Sequence, residues 1–148
     1  MDKKRLEFLK KDYVQGFVAF CGFDVLRIEK GLFESHLKLK KEHKQQDGFV
    51  HAGVIATMAD HTAGYSAFTL APDDHQILTI EFKINYFKPA VGDELVCRAK
   101  VINRGKKIIV SESEVFSVGR GDEKLISKAM VTMMSVHSSN LHNHSPSE

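Results

Sequence analysis

Apolar and polar positions alternate with clear periods along most of this chain. From Asp2 to Ala19, Leu6, Leu9, Tyr13, Phe17 and, one residue on, Phe20 recur at three- and four-residue steps, which predicts a helix with one apolar stripe. Cys21-Gly22 ends it. Phe23–Glu29 and Leu32–Leu39 read as strands joined by a Lys30-Gly31 hairpin turn. In the second, Phe33, Ser35, Leu37 and Leu39 share a face. Lys40–Val50 is polar and reads as a solvated loop. His51–Leu70 then carries a single acid, Asp60, and many small residues: Ala52, Gly53, Ala56, Ala59, Ala63, Gly64 and Ala67. It is long enough for a helix of ~30 Å. With no broad polar face, it is expected to be buried nearly all round.

Beyond the Ala71-Pro72-Asp73-Asp74 break the chain is all strand. Ile77–Tyr86 alternates, with Leu78, Ile80, Phe82, Ile84 and Tyr86 on one face and Thr79, Glu81, Lys83 and Asn85 on the other. Glu94–Ile102, Lys107–Val118 and Lys124–Val136 follow after short turns. These four strands are expected to form one antiparallel meander. The order α-β-β-α-β-β-β-β leaves one element apolar enough to cover the sheet, the His51–Leu70 helix. The class is therefore α+β, an antiparallel curved sheet of about six strands wrapped round one long buried helix, with an extra N-terminal helix. That is the architecture of a hotdog fold. Residues 1–136 are expected to form one domain and 137–148, rich in Ser, Asn and His, a disordered tail.

Composition narrows the function without naming it. A chain of 148 residues with net charge +2 has no electrostatic mandate for nucleic acid. No apolar run is long enough to span a bilayer and no secretory signal is visible. Cys21 and Cys97 sit in apolar surroundings without CxxC spacing, as reduced thiols of a cytoplasmic protein would. The residue that demands explanation is Asp60. Its neighbours one turn away are small, so the carboxylate has room beside it. Burial without a partner or a task would be costly. A structural aspartate bonded to a loop is the alternative.

Gly48-Phe49-Val50-His51-Ala52-Gly53-Val54-Ile55-Ala56-Thr57-Met58-Ala59-Asp60 resembles the signature of hotdog-fold acyl-CoA thioesterases of the phenylacetate-pathway (PaaI-like) type, which belong to the 4-hydroxybenzoyl-CoA thioesterase superfamily. Thr79–Ala90, Gly92-Asp93-Glu94-Leu95 and Gly105-Lys106 are similar to the strand and turn pattern of that family. The resemblance spans Phe17 to Val136. It implies that Asp60 is the nucleophile or general base. Ala52, with Gly53 beside it, would lend the backbone N–H that polarises the thioester carbonyl. Gln45, or Gln46 next to it, stands where relatives carry Asn, and Thr79 where a Ser or Thr holds the attacking water. Tyr86, Phe87 and Lys88, and the turn Asn103, Arg104, Gly105, Lys106 and Lys107, match segments that contact coenzyme A. Ala52 departs from the family's glycine but keeps the N–H. The resemblance also implies dimers that pair into tetramers.

The chemistry fits the helix. Thioester hydrolysis develops negative charge on the carbonyl oxygen, and a helix N-terminus offers free N–H groups and partial positive charge. Asp60 lies eight residues beyond Ala52, ~12 Å along the axis. One carbonyl carbon cannot touch both on one helix, so the active unit is expected to be at least a C2 dimer. His51 reads as a structural residue at the helix start, with catalysis as the competing role. His51 and His61, ~15 Å apart along the helix, cannot share a metal, and neither metal nor cofactor is expected. The expected partners are an acyl-CoA substrate and further copies of the chain, with no nucleic acid and no membrane. The leading function is hydrolysis of a small, medium or aryl acyl-CoA. A non-catalytic acyl-CoA-binding hotdog module and a hotdog dehydratase are the competing readings.

Overall fold

The computed structural model describes residues 1–141. Two helices, α1 (Lys3–Tyr13) and α2 (Gly16–Cys21), precede the hairpin β1 (Phe23–Glu29) and β2 (Leu32–Lys38). The long helix α3 (Ala52–Phe68) follows, then β3 (His75–Tyr86), β4 (Glu94–Arg104), β5 (Ile108–Gly119) and β6 (Asp122–His137). The six strands form one antiparallel sheet in the order β1-β2-β4-β5-β6-β3. Ile55, Met58, Ala59, Ala63 and Ala67 bury one side of α3 against it. Shared hydroxyls tie helix to sheet. Thr62 Oγ1 lies 2.8 Å from Ser35 Oγ and 3.2 Å from the Tyr13 hydroxyl, and Ser66 Oγ lies 2.9 Å from Ser111 Oγ.

Five expectations need correction. The single N-terminal helix is two, broken at Val14-Gln15, where Gln15 is extended and Gly16 takes φ +54°. The break resets the helical phase. Leu9 and Tyr13 are buried as the stripe predicts, but Val18 and Cys21 replace Phe17 and Phe20, which stand 64% and 87% exposed. The long helix is not buried all round: Ala56, Thr57, Asp60 and Gly64 form a half-buried strip.

The meander covers only β4-β5-β6. Strand β3 crosses to the far edge and pairs with β6, from His75↔His137 to Tyr86↔Ser127. Its link to β4 is no hairpin. It runs across the end of the sheet, where Ala90 O accepts from Val50 N–H at 3.3 Å and Asp93 O from Leu39 N–H at 2.8 Å.

The alternation of β3 also breaks. Thr79 pairs with Met133 and Glu81 with Thr132, so Ile80 is the extra residue of a β-bulge. Thr79 and Phe82 therefore both face α3, although period two puts them on opposite faces. Finally, His137 still belongs to β6 and Ser138–Asn140 form a 3₁₀ turn. The rest of the expected tail, residues 142–148, lies outside the described residues.

Candidate active site

The approach to α3 is not simply a solvated loop. Within Lys40–Val50, His43 is buried: its Nδ1 accepts the Lys40 N–H at 2.9 Å, so its Nε2–H donates to Cys21 O at 2.8 Å. The His43 carbonyl then accepts the His51 N–H at 2.9 Å. This histidine ties α2 to the start of α3. Its polar sequence context concealed the role.

His51 is the N-cap of α3, with φ −61° and ψ 133°, and its Nδ1 accepts the Gly53 N–H at 2.8 Å. A Cβ on Gly53 would come within 2.9 Å of that same nitrogen, so the cap requires glycine there. The Val54 N–H bonds His51 O at 3.0 Å. Among the described residues, only the Ala52 N–H of these three has no partner. The first turn thus presents one free donor at the positive end of the helix. Gly53, beside it, gives its own N–H to His51.

That donor opens on a groove of about 550 Å³ lined by Gln45, Gln46, Tyr86, Phe87 and Lys88. Both candidate glutamines are therefore at the helix N-terminus. Gln45 Oε1 accepts the Asp47 N–H, which folds the loop on itself and leaves the amide nitrogen for a ligand. The Tyr86 hydroxyl donates to Ala52 O at 3.1 Å. The second expected coenzyme A segment lies elsewhere. Arg104 Nη2 donates to Leu70 O at 2.8 Å, beyond the C-terminal end of α3, and Gly105 makes the tight turn beside exposed Lys106 and Lys107. One chain therefore presents Tyr86–Lys88 and Asn103–Lys107 at opposite ends of its long helix.

Asp60 is half-buried on the open strip of α3. Its Oδ1 accepts the Thr79 hydroxyl at 2.8 Å, a strand partner and not the loop partner of the structural alternative. No hydrogen bond from a described residue reaches Oδ2. Two hollows flank the carboxylate, of about 520 Å³ and 240 Å³, and neither shares a residue with the groove at Ala52. Beside Asp60, the His61 ring packs at a tilt against those of Tyr13 and Tyr65, with centroids 4.6 Å and 4.8 Å away. Burial holds its pKa below the usual histidine value, against smaller upward pulls from the Tyr13 carbonyl, Asp60 and Asp12. Its Nε2–H donates to Tyr13 O at 3.1 Å.

The two cysteines stand apart from this chemistry. Burial pushes the Cys97 thiol up to about 12 and raises that of Cys21, which disfavours the reactive thiolate at both. No helix of the described residues is long and apolar enough to cross a membrane.

A curved antiparallel sheet around one central helix is a hotdog fold, and the proteins it resembles make this chain a thioester hydrolase. The chain belongs to the thioesterase superfamily, whose family model matches residues 47–124. It is 32% identical over 127 residues to a Saccharolobus solfataricus protein that carries a provisional esterase name, covering 86% of this chain and 87% of that one. A 1,4-dihydroxy-2-naphthoyl-CoA hydrolase of Listeria monocytogenes is 24% identical over 100 residues, 68% of this chain and 81% of the relative. Among solved structures, a thioesterase family protein of Silicibacter pomeroyi superposes with a TM-score of 0.87 at 28% identity, covering 90% of this chain and 98% of that one.

Proposed function

We propose that this protein is a cytoplasmic acyl-CoA thioesterase of the PaaI-like type, hydrolysing a small, medium or aryl acyl-CoA to the free acid and coenzyme A. The observation that carries the reading is the pair of groups on α3: an unpartnered N–H at Ala52 and a carboxylate at Asp60 oriented by Thr79. They lie ~12 Å apart along one helix and face separate cavities. A carbonyl held by the N–H of one chain therefore meets the Asp60 of another. The exposed edge of the sheet supports such pairing. Among the described residues, strand β3 ends the sheet with no strand on its outer edge and with Leu78 and Ile80 exposed, the features of a strand that pairs with a second copy. A dimer is the minimal active unit, and two dimers form the tetramer.

In this site Asp60 takes a proton from water, and the hydroxide adds to the thioester carbon. The developing oxyanion is held by the Ala52 N–H and the helix N-terminus. Collapse breaks the C–S bond, and the proton passes to the departing thiolate. Direct attack by the Asp60 carboxylate, through an anhydride, uses the same geometry. In the assembled dimer, Tyr86, Phe87 and Lys88 from one chain and Asn103–Lys107 from another contact coenzyme A, with Arg104, Lys106 and Lys107 near its phosphates.

The test is steady-state thiol release from acetyl-, hexanoyl-, lauroyl-, benzoyl- and phenylacetyl-CoA by wild type and Asp60→Asn. Turnover of one class, lost in the variant, supports the reading. No turnover on any of them, with coenzyme A still raising the melting temperature, would replace it with a binding module.

A further inference from the structure

The two hollows that meet at Asp60 and His61 differ in construction. The larger runs toward Phe17, Val18 and Phe82. The smaller, of about 240 Å³, is lined beyond Asp60 and His61 by Gly64, Tyr65 and Phe68 of α3, by Gln76 and Ile77 of β3 and by Asp12 of α1. Its far wall is anchored from the N-terminal helix. The Tyr65 hydroxyl donates to Asp12 Oδ2 at 2.7 Å, and its ring stands edge-on to that of Phe68, 5.7 Å between centroids. Phe68 is itself clamped by Arg5, whose guanidinium lies 4.5 Å from the ring centroid and whose Nη2 donates to Phe68 O at 3.0 Å. These aromatic rings cannot easily move aside.

Gly64 occupies the helix turn between Asp60 and that wall. A Cβ added there meets nothing within 4 Å. A glycine inside a helix costs stability relative to alanine, and none of the described residues fills the room beside it. The space runs from the carboxylate to an aromatic end wall two turns away, ~12 Å along the helix.

We propose that the smaller hollow receives the acyl group of the thioester, and that Gly64, by lacking a side chain, sets the size of acyl group accepted. Compact acyl groups, a short alkyl chain or a single ring, fill the space between Asp60 and the Tyr65–Phe68 wall. Long alkyl chains are stopped by that wall. This assignment rests on Asp60 acting at the thioester carbonyl.

The experiment compares wild type, Gly64→Ala and Gly64→Leu. Three quantities are read: kcat/KM for acetyl-, hexanoyl-, benzoyl- and lauroyl-CoA; calorimetric Kd for the unreactive thioethers S-ethyl- and S-hexyl-CoA; and molar mass by light scattering. Wild type is expected to prefer hexanoyl- and benzoyl-CoA over lauroyl-CoA. Gly64→Leu lowers the hexanoyl-to-acetyl ratio of kcat/KM by about tenfold or more and weakens S-hexyl-CoA more than S-ethyl-CoA. Gly64→Ala, which suits a helix better than glycine, lies between. A ratio unchanged in Gly64→Leu overturns the proposal. So does a fall in molar mass with that ratio unchanged, which would put a second copy's backbone in the space. If wild type hydrolyses none of these thioesters while residue 64 still governs S-hexyl-CoA affinity, the hydrolase reading fails and the acyl pocket stands.

Discussion

Thr79 Oγ1 on β3 donates a 2.8 Å hydrogen bond to Asp60 Oδ1 on α3, from a position that strict alternation would turn away from the helix. The bulge at Ile80 makes the contact possible, since it lets Thr79 and Phe82 share the helix-facing side of the strand. The bond orients the carboxylate and leaves Oδ2 without a hydrogen bond from a described residue. Thr79→Val keeps the shape and removes the donor. The expected outcome is a kcat lower by about tenfold to a hundredfold, the kinetic equivalent of one hydrogen bond to a charged group. KM should change little, and Thr79→Ser should restore most of the rate. Equal kcat for Thr79→Val and wild type would remove Thr79 from the site.

Ala52→Pro removes the one N–H of the first α3 turn that no described residue accepts. Proline is well tolerated at the first helical position, and the preceding residue, His51, already has the extended backbone that proline favours. The fold should persist while kcat falls by about a hundredfold to a thousandfold, as when an oxyanion donor is lost. Asp60→Asn should be at least as inactive. Mixing the two inactive variants, after subunit exchange, should recover about a quarter of wild-type activity, because half the dimers then carry one intact site built from both chains. No recovery, with exchange confirmed by mass, would place both groups in a single-chain site.

His51→Asn separates capping from catalysis. Asparagine is a good N-cap and can accept the Gly53 N–H in place of the imidazole. Its melting temperature should stay close to wild type, whereas His51→Ala should lose about 0.5–2 kcal/mol. Both variants should retain kcat within about tenfold of wild type. A loss beyond about a hundredfold in His51→Asn, of the size expected for a general base, would make the imidazole catalytic.

His61 predicts a pH dependence of stability. Its pKa in the folded protein is lowered, chiefly by burial beside Tyr13 and Tyr65, with Asp60 and Asp12 as the charged groups facing it. In the unfolded chain the ring titrates near ~6.5. Below that pH the unfolded state binds the proton first, so stability falls with pH until the folded pKa is passed. Above ~6.5 the contribution is complete. Melting temperatures measured from pH 7.5 to 5 should therefore decline more steeply for wild type than for His61→Gln. Parallel curves would mean that the ring is solvated.

Much of the fold is written in local patterns. The Lys30-Gly31 turn, the alternation of Phe33, Ser35 and Leu37, and the nearly neutral stretch from Ala52 to Phe68 each specify an element by short-range chemistry. Only one helix could cover such a sheet. The motif around His51, Ala52 and Asp60 likewise marks the start of α3 and a carboxylate about two turns along it, because a helix has a known rise and polarity.

Other features depend on closure in three dimensions. Whether β3 pairs with β4 or crosses to β6 is decided by the whole sheet. The β3–β4 link can turn either way until Val50 and Leu39 bind its carbonyls. The bulge at Ile80 is invisible to a period-two reading, which sets Thr79 and Phe82 on opposite faces of β3. The break at Gln15 redirected Phe17 and Phe20 to the surface. Which N–H remains free at the helix start depends on the His51 rotamer, and the loop that carries His51 is held by buried His43. Local sequence thus sets the elements and their chemistry, because turns, caps and alternation act over a few residues. Strand order, side-chain direction and the vacancy beside Gly64 are settled by contacts between residues far apart in the chain.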